Sequence, residues 1–357
     1  MHALVVPMPI GDASVRECAD LAEESAAAHG IFVSSHAMSD GGAGLIDALM
    51  AHETVELHGF EVTDSSGALL FASAARTRGT WWIEAAELFG VQPTDVRTPP
   101  LARTSTGLGE LIAKCALRHP GTMAIGLAPA PMMDGGLGML RALGLTVSDN
   151  LGRMLPAGQR PDLDRIRRVH GSPPPMLGLM RVFTGAHQPL EHAAIGLNLC
   201  RTERLRAIDA LRRWADTLND WRTAQGYRAI DPRLPSGGLA GGTGFALAAL
   251  GADIRNGGQY FATLTRLEAA MNEVDIAIFM DDPKGPAPMP PSVRAILSRT
   301  AEAANVPLYG LVHRPPPDYG LAQSRLVPLD GTSGKDVAKA VASLGRRLAN
   351  APDSGTR

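Results

Sequence analysis

The sequence predicts an α/β fold, and three observations carry that prediction. Short apolar segments alternate with amphipathic helical patterns along the whole chain, which is typical of parallel sheets covered by helices. Four glycine-rich turns each stand where a predicted helix begins. The chain of 357 residues is long enough for two domains, each with its own core.

The elements of the first half follow from their residue patterns. The apolar run at residues 3–6 predicts a buried strand, and the Ala- and Glu-rich segment 15–29 predicts a helix. The turn Asp64-Ser65-Ser66-Gly67 joins two predicted strands, 56–63 and 68–74. The remaining predictions are helices over 45–52, 82–88, 107–117 and 136–143, and a strand over 123–127.

In the second half, one apolar stripe and one apolar run dominate. Leu205, Ile208, Leu211 and Leu218 lie on one face of a long helix predicted over 202–225. The run 274–280 is apolar except for Asp275 and bounded by charges, which favours a central parallel strand. The other predictions are strands over 177–183 and 307–312, helices over 245–250, 292–304 and 334–348, and loops over 156–175 and 283–291.

The composition excludes several classes of protein. A formal net charge of −2 gives no field that would attract nucleic acid or an anionic membrane. No apolar stretch reaches the ~18 residues of a membrane helix, and the N-terminus lacks the basic region and cleavage site of a signal peptide. Three separated cysteines, Cys18, Cys115 and Cys200, favour buried or idle thiols over disulfides or a metal site. We therefore expect a cytoplasmic protein that binds neither nucleic acid nor membranes.

The glycine-rich turns are the most informative motifs. Free backbone N–H groups and the positive end of the helix dipole meet at the start of a helix, where an anion can bind. A single turn of this kind is usually only a turn, but four in this order form a pattern. They occupy Ser39–Gly44, Arg103–Ile112, Asp134–Gly144 and Gly237–Gly242.

In order and spacing these motifs resemble those of the bacterial glycerate kinase family, of the two-domain glycerate 2-kinase type. Asp40-Gly41-Gly42, the segment Thr104–Ile112 and Asp134–Gly144 match its motifs, and the last is the most specific. The resemblance spans nearly the full chain. It implies transfer of phosphate from ATP, with Mg²⁺, to a small hydroxy acid.

The resemblance also implies two α/β domains that close over a cleft. One is expected to be Rossmann-like and built from both chain ends, residues 1–75 and 285–357. The other should comprise residues 76–284. Within the first domain, we expect the tail 349–357 to be disordered.

The sequence departs from the family at four places where phosphate should be held. The family's Pro-Asp-Ser and lysine are replaced by residues 7–11, Pro-Met-Pro-Ile-Gly, and its Gly-Gly-Ser-Ala-Thr-Asn by residues 128–133, Ala-Pro-Ala-Pro-Met-Met. Proline lacks the N–H donor, and Ala and Met lack the hydroxyl, that phosphate binding uses. Residues 184–190 lose a carboxylate, and residues 280–284 replace the family's Thr-Gly-Glu-Gly turn.

The segments expected to face an organic acid are intact. We therefore predict a substrate-binding set of Asp40, Gly41, Gly42, Thr104, Ser105, Thr106, Gly107, Gly109, Asp134, Gly135, Gly136, Gly241 and Gly242. Two alternatives stay open. The glycines can serve close packing and positive φ alone, and Asp40 and Asp134 can be helix N-caps.

No residue can be assigned to catalysis from the sequence, and four are candidates. Asp281 and Asp282 end an apolar strand where sites form in α/β folds, and they are weak candidates for holding Mg²⁺. His187 offers an acid or base near neutral pH, and Asp134 lies in the most specific motif. A solvated loop for the aspartates and a structural role for the histidine are the alternatives.

Three functions remain open at this level. We favour a family member that has lost phosphate transfer from ATP and keeps a cleft for a small anionic metabolite, either as a repurposed enzyme or as a binding protein. It would need no cofactor. The alternatives are a divergent active kinase that uses ATP and Mg²⁺, and a non-catalytic scaffold subunit. A homodimer is compatible with all three.

Overall fold

The computed structural model describes residues 1–10, 13–90, 98–156, 163–172, 179–282, 292–313, 325–331 and 333–349. The predicted loop 283–291, parts of the predicted loop 156–175, and residues 350–357 of the predicted tail lie outside this set. Ala349, the first residue of that tail, ends the last helix instead.

Thirteen strands and eleven α-helices are present in the described residues. The strands are β1 (His2–Val6), β2 (Phe32–Ser35), β3 (Glu56–Thr63), β4 (Leu69–Thr77), β5 (Thr80–Glu84), β6 (Thr122–Gly126), β7 (Thr146–Ser148), β8 (Arg168–His170), β9 (Met180–Thr184), β10 (Asp253–Asn256), β11 (Ile276–Asp281), β12 (Leu308–His313) and β13 (Leu326–Leu329). The helices are α1 (Val15–Ala27), α2 (Leu45–Met50), α3 (Ala85–Phe89), α4 (Thr106–Arg118), α5 (Leu137–Ala142), α6 (Arg201–Ala224), α7 (Thr243–Ala249), α8 (Gly257–Leu264), α9 (Leu267–Met271), α10 (Val293–Ala303) and α11 (Gly334–Ala349).

The first sheet combines strands from both ends of the chain. Its order is β13-β12-β11-β1-β2, and every neighbouring pair is parallel. Side chains alternate between its faces, so that Ala3 and Val5 pack on one side and Leu4 and Val6 on the other. Helices α1 and α11 cover the first of these faces.

The second sheet has the order β10-β9-β6-β5-β4-β3, in which β3, β4 and β5 are antiparallel and the other pairs parallel. Together with the first sheet it confirms the predicted α/β fold. The expected boundaries at 75 and 285 do not coincide with the division between the sheets. The first of them cuts β4, which pairs with β3 and β5 rather than with β1, and β11 belongs to the first sheet.

The helix predicted over residues 82–88 is wrong in its first part. Residues 80–84 form β5, whose Trp81, Trp82 and Ile83 are buried on both faces between β4 and β6. Aromatic and β-branched residues suit a buried strand, and the helix α3 starts only at Ala85.

A shared apolar cluster joins the two sheets. Trp82 and Phe183 from the second sheet belong to the same buried cluster as Leu4 and Phe279 from the first. The rings of Trp82 and Phe183 stack with centroids 5.5 Å apart. Because the sheets share this cluster, the loops that follow their parallel strands reach one another.

Within the described residues, no helix is long and apolar enough to cross a membrane.

Candidate functional site

The Asp134 carboxylate ties together the starts of two helices. Its Oδ2 accepts hydrogen bonds from Ser105 N at 2.7 Å, from Ser105 Oγ at 2.8 Å and from Gly138 N at 3.1 Å. Its Oδ1 accepts from Gly136 N at 2.9 Å. Ser105 is the N-cap of α4, and its Oγ in turn accepts from Met139 N of α5 at 2.9 Å. The carboxylate therefore fixes α4 against α5.

Burial raises the pKa of Asp134, and the hydrogen bonds from Ser105, Gly136 and Gly138 oppose that rise. Both oxygens of the carboxylate already accept bonds from the protein. The arrangement is that of the helix cap which the sequence left open, and it gives Asp134 a positioning role rather than that of a free base.

Glycines in α4 allow the helix to approach its neighbours closely. A Cβ atom at Gly107 would overlap the backbone carbonyl of Thr63 in β3, and one at Gly109 would overlap that of Met139 in α5. Any side chain at these two positions would push the helix away. The packing alternative thus accounts for both glycines.

The last glycine-rich turn packs against the Asp134 segment. Gly135 N donates to Gly241 O at 2.9 Å, and a Cβ at Gly241 would overlap Met132 O. A Cβ at Gly242 would lie 3.0 Å from Gly135 Cα. Both residues of the turn are buried. They support the backbone beside Asp134 and do not line the cavity next to it.

A cavity of about 920 Å³ opens beside this network. Thr104, Thr106 and Asp134 line it, so the structure brings these three members of the predicted substrate-binding set to one place, beside Gly138, which was not predicted. Thr104 Oγ1 and Thr106 Oγ1 lie 2.7 Å apart. All lining residues lie between Thr63 and Ala210. The cavity therefore belongs to the second sheet and its helices, and no residue of the first sheet contributes to its lining.

Three arginines line the cavity: Arg103, Arg141 and Arg206. Arg103 is 4% exposed, and it donates to Ser65 Oγ at 3.1 Å and to Thr98 O at 3.2 Å. Burial lowers the pKa of Arg141, which is half-buried. Within the described part of the chain, the exposed Arg206 makes no hydrogen bond or ion pair.

The acidic residues of the cavity each accept bonds from the protein. Glu110 Oε2 accepts from Thr63 N at 2.8 Å, and Glu203 Oε2 accepts from Cys200 N at 2.9 Å. Asp164 forms an ion pair with Arg213. Arg141 donates to Leu155 O at 3.2 Å. Since carboxylates repel an anion, the guanidinium groups, Arg206 above all, and the threonine hydroxyls are the groups best placed to meet a ligand anion.

The Asp40 turn lies at a different place, between the two sheets. A Cβ at Gly41 would overlap the carbonyl of Phe183 at the end of β9, and the Gly41 carbonyl lies close to Gly126 at the end of β6. Asp40 Oδ1 accepts from Gly42 N at 2.8 Å. Burial raises the pKa of Asp40. The predicted residues Asp40, Gly41 and Gly42 therefore do not join the cavity.

Glu84 was missed by the sequence analysis. It ends β5, and its carboxylate accepts from Gly44 N at 2.9 Å and from Ile46 N at 3.3 Å, which caps α2. Burial raises the pKa of Glu84. A carboxylate that ends a buried strand was the available signal, but the strand itself was predicted to be a helix.

The remaining candidates are separate from the cavity. Asp282 Oδ1 lies 3.1 Å from His313 Nδ1, where β11 and β12 end, and Asp281 is the last residue of β11. His187 is half-buried in the turn after β9 and makes no hydrogen bond with the described residues. No group of three or more His, Cys, Asp or Glu side chains in the described ranges could hold a metal ion.

Comparison with known proteins gives consistent matches. The glycerate kinase family model matches residues 13–176 and 200–280. The chain is 27% identical to glycerate 2-kinase from Escherichia coli K12 over 255 residues, which cover 68% of this chain and 65% of that protein, or just under two thirds of its length. It is 28% identical to an uncharacterised protein of Synechocystis over 264 residues, which cover 68% of this chain and 67% of that one.

A solved structure extends the likeness to the whole fold. A crystal structure assigned as glycerate kinase 2 from Salmonella typhimurium LT2 superposes with a TM-score of 0.74. The superposition covers 98% of this chain and 97% of the other, at 22% sequence identity. At that identity the likeness shows a shared fold.

Proposed function

The chain belongs to the glycerate kinase family, and we propose that it binds a small hydroxy acid in the cavity beside Thr104 and Thr106 without transferring phosphate from ATP. The observation that carries the proposal is the lining of this cavity. Two threonine hydroxyls at the start of α4 stand in one cavity with three arginines. Hydroxyls and guanidinium groups are donors that suit a carboxylate and its neighbouring hydroxyl.

Residues 128–133, one of the four segments where the resemblance implies phosphate binding, support the second half of the proposal. Met132 is fully buried and Met133 is 4% exposed, both within the core of the second domain. The turn at Gly241 packs directly on Met132 O. Ala128 and Pro129 complete the segment without a side-chain hydroxyl. ATP would find few donors here.

The experiment is calorimetry with two kinds of ligand. We expect glycerate, tartronate or phosphoglycerate to bind with a Kd of about 1 mM or tighter, and ATP with Mg²⁺ to bind more weakly than about 1 mM. Thr104→Val should remove acid binding because it removes a hydroxyl and keeps the shape. Micromolar ATP affinity, together with phosphorylation of glycerate, would show an active kinase and contradict the proposal.

Two arginines of α6 form a matched pair for the same test. Arg206 lines the cavity, whereas Arg204, exposed on the same helix, does not. Arg206→Gln should weaken acid binding several-fold, and Arg204→Gln should leave it unchanged. Equal effects would mean that the arginines act only through the general charge of the surface.

A homodimer stays a prediction, and the same samples can be tested for it by light scattering.

A further inference from the structure

The cavity has a second, apolar part that the proposed function does not use. Seven of its lining residues are apolar: Leu101, Met133, Leu137, Ala142, Leu163, Ala207 and Ala210. A carboxylate with a short hydroxylated chain would contact the donors near the start of α4 and leave this surface covered only by water. The apolar part therefore needs its own explanation.

Helix α6 shows how the cavity changes along its depth. Glu203, Arg206, Ala207 and Ala210 line it, and their spacing of three and four residues places them on one face of the helix. Glu203 and Arg206 are exposed, Ala207 is half-buried, and Ala210 is only 5% exposed. Along α6 the lining thus changes from exposed charged residues to a buried alanine, and the two alanines leave space beside the helix.

Contacts around the apolar part hold its shape. Trp214, one turn beyond Ala210, donates from Nε1 to Gly135 O at 2.7 Å. A Cβ at Gly135 would lie 3.3 Å from Leu163 Cδ1, so Leu163 packs close to that backbone. Asp164, the neighbour of Leu163, forms an exposed ion pair with Arg213 of α6. The apolar wall is therefore built before any ligand binds.

The size of the cavity also indicates a ligand larger than a three-carbon acid. Pockets of roughly 300–1,000 Å³ hold drug-sized ligands, and this one, at about 920 Å³, is near the upper end. A three-carbon acid would occupy a small part of it. An apolar substituent that displaces water from the alanine and leucine surface gains affinity, by about fourfold for each methylene that becomes fully buried.

We propose that the ligand of this cavity is a hydroxy acid that carries an apolar substituent of several carbons. Its acid end meets the donors at Thr104 and Thr106, and its substituent lies against Leu163, Ala207 and Ala210. The acid end rests on the proposed function, whereas the substituent rests on the apolar wall. The two parts can therefore fail separately.

The test is a calorimetric series of 2-hydroxy acids of increasing length: glycerate, 2-hydroxybutanoate, 2-hydroxyhexanoate and 2-hydroxyoctanoate. From 2-hydroxybutanoate onward, we expect the Kd to fall by about sixteenfold for every two methylenes that become fully buried, until the wall is covered. Octanoate, which lacks the hydroxyl, should bind at least several-fold more weakly than 2-hydroxyoctanoate. A constant Kd along the series would overturn the inference and leave the proposed function intact.

A pair of variants on α6 tests where the substituent lies. Ala207→Phe fills the apolar part, so it should remove the gain with chain length and weaken 2-hydroxyoctanoate at least about tenfold more than it weakens glycerate. Leu205→Phe adds the same ring at a position that is 56% exposed and outside the lining. It should change neither the gain with chain length nor the binding of glycerate. The inference is wrong if both variants behave alike. If no acid in the series binds to wild type, both the proposed function and this inference fall.

Discussion

Two Asp-Gly-Gly turns with the same sequence have different surroundings in this molecule. Asp134 accepts hydrogen bonds from Ser105, Gly136 and Gly138 and holds two helices together. Asp40, between the two sheets, accepts one bond from another residue within the described chain, from Gly42 N. Burial raises the pKa of both carboxyl groups. The same motif therefore gives a clamp at one place and a lightly bonded carboxyl group at the other.

The helix that follows each turn explains this difference. At the Asp134 turn the aspartate itself caps the start of α5, because Gly136 N and Gly138 N point at it. At the Asp40 turn the start of α2 is capped by Glu84 from β5. Since another residue supplies the cap, Asp40 keeps acceptor capacity. A motif match thus predicts a local turn, and the tertiary partner decides the role of its carboxylate.

The largest effect is expected from Gly107→Val, on the side of the clamp. The new side chain would overlap the Thr63 carbonyl, so α4 must move and the free energy of unfolding should fall by about 3 kcal/mol or more. Gly79→Ala is the control, because Gly79 has a positive φ but open space around it, and it should cost about 1 kcal/mol. Urea unfolding measures both. Equal losses of stability in the two variants would contradict close packing of Gly107 against the Thr63 carbonyl.

The next effect separates the two aspartates directly. Asp134→Asn places an NH₂ group against backbone donors and should lower the free energy of unfolding by about 2–4 kcal/mol. Asp40→Asn disturbs one such bond and should change it by about 1 kcal/mol or less. Chemical unfolding at neutral pH gives both values. A larger loss for Asp40→Asn would reverse the comparison.

A smaller effect concerns the pH dependence of stability. Burial raises the pKa of Asp40 in the folded state, so its protonated form is favoured on folding. The contribution of Asp40 to the free energy of unfolding is fully present below the pKa of about 4 that it has in the unfolded chain. It is lost as the pH rises through the pKa of the folded state. Asp40→Asn cannot titrate, so it should gain stability relative to wild type as the pH rises above about 4. A difference that does not vary with pH would contradict the raised pKa.

The smallest effect is expected at the cap of α2. Glu84→Gln keeps one acceptor oxygen for Gly44 N or Ile46 N and loses the other, and it should cost about 1 kcal/mol. Glu61→Gln is a suitable control, because Glu61 is an exposed strand residue of β3, and it should change stability by less than about 0.5 kcal/mol. Thermal unfolding would show whether Glu84 matters more than this surface carboxylate.

The sequence predicted the fold well where patterns were strong. The apolar run that became β11 and the stripe of α6 were predicted within two residues of their true bounds. The strand β10, Asp253–Asn256, was missed because its residues are mostly polar and its burial comes only from its neighbours. The strand β5 was missed because helical residues follow it without a break. Local composition decides such cases less than tertiary position does.

The site could be predicted only in part. The residues Thr104, Thr106 and Asp134 were found because glycine-rich motifs mark them, and they do line one cavity. Arg206, Leu163 and the alanines of α6 come from segments without any motif, and tertiary contacts such as the hydrogen bond from Trp214 of α6 to Gly135 O bring them there. The sequence also could not show that Gly107 serves helix packing, because the partner carbonyl lies in β3.

The most direct test of the account is a crystal structure of the protein with a 2-hydroxy acid. We predict density for the acid in the cavity, with its carboxylate or hydroxyl within hydrogen-bond distance of Thr104 Oγ1 or Thr106 Oγ1 and its substituent toward Ala207. The Asp40 turn should hold no ligand in the same crystal. An acid bound at Asp40 with the cavity empty would contradict the account, because the lightly bonded carboxyl group, and not the clamp, would then mark the functional site.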